Sequence, residues 1–132
     1  MISPTGKKVR GTDTWGSGAY GSPRGNHLHN GVDFIAIPGQ IVIMPISGLI
    51  AREARPYSHS NYSGVLIRNN HIEVMMFYLE LLPSIIGKWL EERDPVGTAQ
   101  DISKKYPGIT NHIHLSIKQI DPELLLNIPW KS

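Results

Sequence analysis

From residue 32 onward the chain is cut into short β-branched runs by turn residues, and this rhythm constrains the fold more than any other feature. The runs are Val32 to Ile37, Ile41 to Met44, Gly48 to Ala51, Gly64 to Arg68, Ile72 to Leu79 and His112 to Ile117. Pro38-Gly39, Pro45, Ser47-Gly48, Asn69-Asn70 and Pro107-Gly108 punctuate them. Segments this short do not sustain helices, whereas β-branched residues bounded by Gly, Pro and Asn suit strands and tight turns. Asn69-Asn70, between Val65-Leu66-Ile67 and Ile72 to Val74, predicts a hairpin turn. Helical signals are thin. Leu82 to Leu90 contains Pro83 and Gly87 and predicts a loop with at most one turn, while Pro122 to Leu126 predicts a short helical turn with Asp121 as its N-cap. Residues 1 to 28, rich in Gly, Ser, Thr and Pro, predict an irregular segment, and the glycines of 11 to 21 suit it to wrapping a groove. The expected architecture is a single all-β domain over residues 1 to 132, mainly antiparallel sheet with a groove, long loops and little helix.

Composition narrows the function classes. With 132 residues, 40% hydrophobic and 18% charged, the chain can bury a core without staples. Its Lys and Arg residues are scattered, with no basic run, which argues against nucleic acid as a partner. Cysteine is absent, which points to a cytosolic or bacterial protein, or one exported without disulfides. Met1 to Lys8 lacks the apolar region of a signal peptide, and Val74 to Leu79 is too short to span a bilayer. Action outside the cytoplasm would then need a dedicated secretion route, lysis or a removed leader.

Chemistry concentrates in two histidine motifs. His29 and Asp33 form an H-x-x-x-D with Gly31 between them, and His112 and His114 form an H-x-H within an apolar run. Alternation along a strand puts both imidazoles of His112 and His114 on one face and sends Ile113 and Leu115 to the other. Two imidazoles and one carboxylate leave a tetrahedral zinc with an open fourth position, the pattern of catalytic sites. Either motif alone more often marks exposed polar residues; their combination carries the weight. His27, His59 and His71 read as loop histidines, and Trp15, Tyr20 and Tyr62 as groove walls or packing.

The segment His29-Asn30-Gly31-Val32-Asp33-Phe34-Ile35-Ala36, then Pro38-Gly39-Gln40-Ile41-Val42 and Ser47-Gly48-Leu49-Ile50, resembles the opening of lysostaphin-type (LytM-like) zinc metallopeptidases. Asn111-His112-Ile113-His114-Leu115-Ser116-Ile117 resembles their H-L-H strand, and Asp121-Pro122 their closing segment. Arg55-Pro56-Tyr57, Met76-Phe77-Tyr78, Gly97-Thr98 and Lys105-Tyr106-Pro107-Gly108-Ile109 bring the chain closer to the leukocyte cell-derived chemotaxin branch. That branch shares the peptidase fold and zinc ligands, but its animal members are disulfide-bonded signalling proteins thought not to cut peptides. The lack of cysteine favours a bacterial or phage protein instead.

The resemblance implies one zinc ion held by His29, Asp33 and His114, with His112 as general base or hydrogen-bond donor. Family peptidases supply a second histidine from a Y-x-H-L segment. Here that segment is Tyr78-Leu79-Glu80-Leu81, and Glu80 takes the histidine position. Three outcomes stay open: Glu80 acts as a base, Tyr78 (placed by alternation on the same face) donates to the oxyanion, or neither does. The implied function is cleavage of peptide cross-links in bacterial peptidoglycan, by a secreted antibacterial effector or phage lysin acting in the periplasm or cell wall. An immunity or receptor protein would be a further partner. The alternative is an inactive zinc-binding module of chemotaxin type.

Overall fold

Burial alternates along Ile72–Phe77, with Ile72, Val74 and Met76 inside and the residues between them half-buried, as a strand with one covered face requires. The structure, a computed structural model, describes residues 1–11, 18–19, 23–24, 27–28 and 31–125. Its strands are β1 (Pro23–Arg24), β2 (His27–Leu28), β3 (Val32–Ile35), β4 (Ile41–Ile43), β5 (Gly48–Glu53), β6 (Gly64–Arg68), β7 (Ile72–Phe77), β8 (Leu79–Leu81), β9 (Trp89–Leu90), β10 (Pro95–Ala99) and β11 (His112–Ile120). They form a six-stranded sheet of order β3-β11-β7-β6-β5-β9, a three-stranded sheet β4-β10-β8 and a ribbon β1-β2. Every pairing is antiparallel, as an all-β chain of short strands and tight turns predicts. No helix among the described residues is long and apolar enough to cross a membrane.

The core lies between the two larger sheets. Val65, Ile67, Val74, Met76, Ile113 and Leu115 from the six-stranded sheet join Val42, Leu79 and Val96 from the three-stranded one in a single apolar cluster. Full burial of each such side chain stabilises the fold by about 1.5–3 kcal/mol, which fixes the register of both sheets. The chain steps from one sheet to the other at Tyr78, whose φ is 78°. The amides of Tyr78 and Leu79 both donate to the Ser63 carbonyl, at 2.7 and 3.3 Å, and pin the crossing.

The predicted hairpin forms between β6 and β7, where Asn69 Oδ1 accepts from the amides of His71 and Ile72 at 2.9 and 3.0 Å. Pro122–Leu125 forms a 3-10 turn, capped by Asp121 Oδ1, which accepts from the Glu123 amide at 3.0 Å. Two elements depart from the sequence expectation. The loop predicted for 82–90 ends in β9, which pairs with β5 and completes the sheet edge. Pro95–Ala99 carries little strand propensity, yet it becomes the central strand of the smaller sheet because β4 and β8 both pair with it. A Cβ on Gly97 would lie 2.2 Å from the Glu80 carbonyl oxygen, so the pairing requires glycine there. The N-terminal segment is also less irregular than predicted. Val9 bridges to Phe34, and the Arg10 amide donates to the Asp33 carbonyl at 2.7 Å. Trp15 and Tyr20 lie outside the described residues.

Candidate metal centre

Sheet register builds the site. His114 pairs with Asp33 of β3 on one side and with Phe77 of β7 on the other. Direct cross-strand partners share a face, so Asp33, His114 and Phe77 form one row. Asp33 Oδ1 lies 2.8 Å from His114 Nδ1. Phe77 stacks on the His114 ring at 6.1 Å with an interplanar angle of 15°. Gly31 closes in from another side, where a Cβ would fall 2.7 and 2.8 Å from Cε1 and Nε2 of the same ring. Ile113 and Leu115 point into the core, so the two histidines share the opposite face, as alternation predicts.

His112 is buried two residues earlier on that face. Its Nδ1 sits 2.8 Å from the Thr110 carbonyl oxygen, which can only accept. Nδ1 therefore carries the proton of the neutral ring, and Nε2 keeps its lone pair. Nε2 lies 3.4 Å from Asp33 Oδ2. Burial holds the His112 pKa below the usual histidine value, and Asp33 opposes that shift. The result is a neutral imidazole whose basic nitrogen faces the Asp33 carboxylate.

Tyr78 meets His112 edge to face at 5.6 Å. Its phenol is bonded to Tyr57 Oη at 2.9 Å, and Tyr57 in turn bonds to Tyr106. Burial and the Tyr57 hydrogen bond push the Tyr78 pKa far up, so the phenol stays protonated. Tyr62 packs edge-on against Tyr78 at 5.9 Å, and the Lys105 ammonium lies 4.2 Å from the Tyr57 ring centroid. The sequence motifs single out Tyr78 but not this network.

The same-face placement of Tyr78 and Glu80 does not hold. Left-handed backbone at Tyr78 resets the alternation, so that Tyr78 and Leu79 are both buried while Glu80 is exposed. Glu80 makes no side-chain hydrogen bond or ion pair among the described residues. Of the three expected ligands, Asp33 and His114 converge and His29 lies outside the described residues. No group of three or more His, Cys, Asp or Glu among the described residues is arranged to hold a metal. His59 is exposed; His71 is exposed and 3.5 Å from Asp121, remote from this face. Arg10 is the residue that motif reasoning missed altogether. Buried beside Asp33, it donates to Oδ2 from Nε at 3.2 Å and from a terminal nitrogen at 3.0 Å.

Over 110 residues the chain is 33% identical to leukocyte cell-derived chemotaxin-2 of Bos taurus, covering 82% of this chain and 72% of that protein. The chain belongs to the leukocyte cell-derived chemotaxin-2 family. The Mus musculus family member is 29% identical over 115 residues, covering 86% of this chain and 75% of its own length. No family model matches the chain. In three dimensions it is similar to the catalytic domain of the antimicrobial peptidase lysostaphin from Staphylococcus simulans, with a TM-score of 0.55 and 20% identity. That match covers 86% of this chain and 91% of the lysostaphin domain. A chemotaxin-2 family chain with a lysostaphin-like fold thus places Asp33, His112 and His114 on one sheet face, with Tyr78 at its rim.

Proposed function

We propose that the chain is a zinc-dependent endopeptidase acting on the peptide cross-links of bacterial peptidoglycan. One observation carries this proposal: a neutral, buried base stands against a converging pair of metal donors. His112 Nε2 is 3.4 Å from Asp33 Oδ2, while Asp33 Oδ1 and His114 Nδ1 face one another at 2.8 Å.

The donor chemistry fits zinc. A carboxylate oxygen and an imidazole nitrogen are ligands zinc accepts, and His29 would be the third. A metal held by Asp33 Oδ1 and His114 Nδ1 would replace the hydrogen bond that joins these two atoms in the chain alone. When bound, zinc would supply Lewis-acid polarisation of the scissile carbonyl and lower the pKa of water to about 7. The chain's own groups do the rest. His112 accepts a proton at Nε2, since Thr110 fixes the other nitrogen as a donor. Tyr78, held protonated by burial and oriented by Tyr57, donates to developing negative charge on the substrate oxygen. Peptide cross-links are short and flexible and would lie extended along the sheet. The lysostaphin likeness supports a bacterial cell-wall target. Action would take place in the periplasm or cell wall, after delivery by a secretion apparatus or phage lysis, with an immunity protein as a further partner.

Glu80 favours a second reading. It occupies the expected histidine position but is exposed, which suits a chemotaxin-type module that binds zinc and a cell-wall or protein ligand without cutting. One experiment separates the two. Zinc-loaded protein is incubated with purified peptidoglycan, and new amine termini are counted. The enzyme should release them, His112→Ala should abolish release, and Tyr78→Phe should slow it by about 100-fold or more. No release by the wild type, together with co-sedimentation on peptidoglycan, would replace the enzyme with the binding module.

A further inference from the structure

Arg10 reaches the metal corner from the N-terminal segment, its side chain 1% exposed against 3% for Asp33. Two of its nitrogens converge on the same oxygen, Asp33 Oδ2, at 3.2 and 3.0 Å. The backbone locks it there. The Arg10 amide donates to the Asp33 carbonyl at 2.7 Å, and the Gly18 amide donates to the Arg10 carbonyl at 3.1 Å. Gly18 fits only without a side chain, since a Cβ would lie 2.6 Å from that of Arg10. The carboxylate is thus divided between Arg10 on Oδ2 and His114 on Oδ1. His112 Nε2 also faces Oδ2, at 3.4 Å, farther than either Arg10 nitrogen.

A carboxylate this deep in a protein needs a cationic partner. In many small metal-binding domains the metal itself is that partner, and the chain unfolds without it. Here a guanidinium already fills the role. We propose that Arg10 is a resident counter-cation for Asp33. It keeps the metal-free chain folded, confines Asp33 to one coordinating oxygen and weakens the grip on zinc so that the ion is exchangeable. The last two parts rest on zinc binding at His29, Asp33 and His114; the first does not.

The test compares wild type, Arg10→Met and Arg10→Lys. Zinc affinity is measured by competition with a chromophoric chelator, and melting temperature with EDTA and with saturating zinc. Arg10→Met should bind zinc at least about tenfold more tightly, because a unit positive charge has left the site. Its metal-free melting temperature should fall by about 10 °C or more, and zinc should restore most of the loss. Equal losses with and without zinc, or unchanged or weaker zinc affinity, would overturn the proposal. Should Arg10→Met fail to fold under both conditions, Arg10→Lys decides: a larger loss metal-free than zinc-loaded supports it, and equal losses sink it. If the wild type binds no zinc, the metal reading fails by itself. The counter-cation role is then judged in metal-free Asp33→Asn and Arg10→Met/Asp33→Asn proteins. The double variant should be no less stable than Arg10→Met alone, whereas additive losses would refute the pairing.

Discussion

Replacing Gly31 by alanine should disable the metal corner through a single methyl group. That methyl would sit 2.4 Å from the Leu115 carbonyl oxygen and 2.7 and 2.8 Å from Cε1 and Nε2 of His114. Leu115 cannot yield, because β11 is paired there with β3 and β7 together. The His114 ring must move, and its 2.8 Å contact with Asp33 breaks. Gly31 does not have a positive φ, so alanine would gain about 0.4–1 kcal/mol from lower chain entropy in the unfolded state. Against this stand about 1–3 kcal/mol of overpacking and about 1.5–3 kcal/mol for a charge-assisted hydrogen bond. The net destabilisation is about 1.5–5.5 kcal/mol, which lowers the melting temperature by about 6–22 °C in a domain of this size. Thermal unfolding followed by circular dichroism in EDTA measures it, and zinc titration should show at least a tenfold weaker site. A variant that melts within 2 °C of wild type (roughly 0.5 kcal/mol) and keeps its zinc affinity would show that Gly31 does not brace His114.

Three further outcomes follow from the same geometry. Asn111→Ala removes side-chain bonds to Ile102, Ala36 and Gln100 just before the H-x-H strand; urea unfolding should show a loss of about 2–3 kcal/mol. Glu80→Gln, at an exposed carboxylate, should change stability by less than about 0.5 kcal/mol and leave peptidoglycan release intact; lost release with the fold unchanged would restore Glu80 as a base. At alkaline pH, Tyr106 is pushed up to about 12 by burial and its bond to Tyr57, and Tyr78 is raised further. Folded-state pKa values above the unfolded value of about 10 contribute stability that is complete below pH 10 and is lost as pH rises through 12. Tyrosinate absorbance should therefore rise in at least two steps, and Tyr57→Phe should bring the late step earlier.

What the sequence revealed followed local periodicity. The H-x-H face, the Asn69 hairpin and the Asp121 cap are each written within a few neighbouring residues, and all three form. The Glu80 orientation was not legible, because a tyrosine rather than a glycine takes the left-handed backbone at the sheet crossing. β10 was hidden by Pro95 and Gly97, whose strand state is imposed by neighbours on both sides. Arg10 was hidden for a different reason. It lies 23 positions from Asp33 in a stretch with no periodic pattern, and only folding brings the two together.

The crossing at Tyr78 couples mechanics to chemistry. A residue that ends one sheet and begins the next takes its position from both. Its ring is therefore a gauge of the interlayer gap, read where its edge meets the His112 ring. Substitutions deep between the layers, such as Val96→Ala on β10, should register at the site as a changed Tyr78 environment even though they touch none of its polar groups.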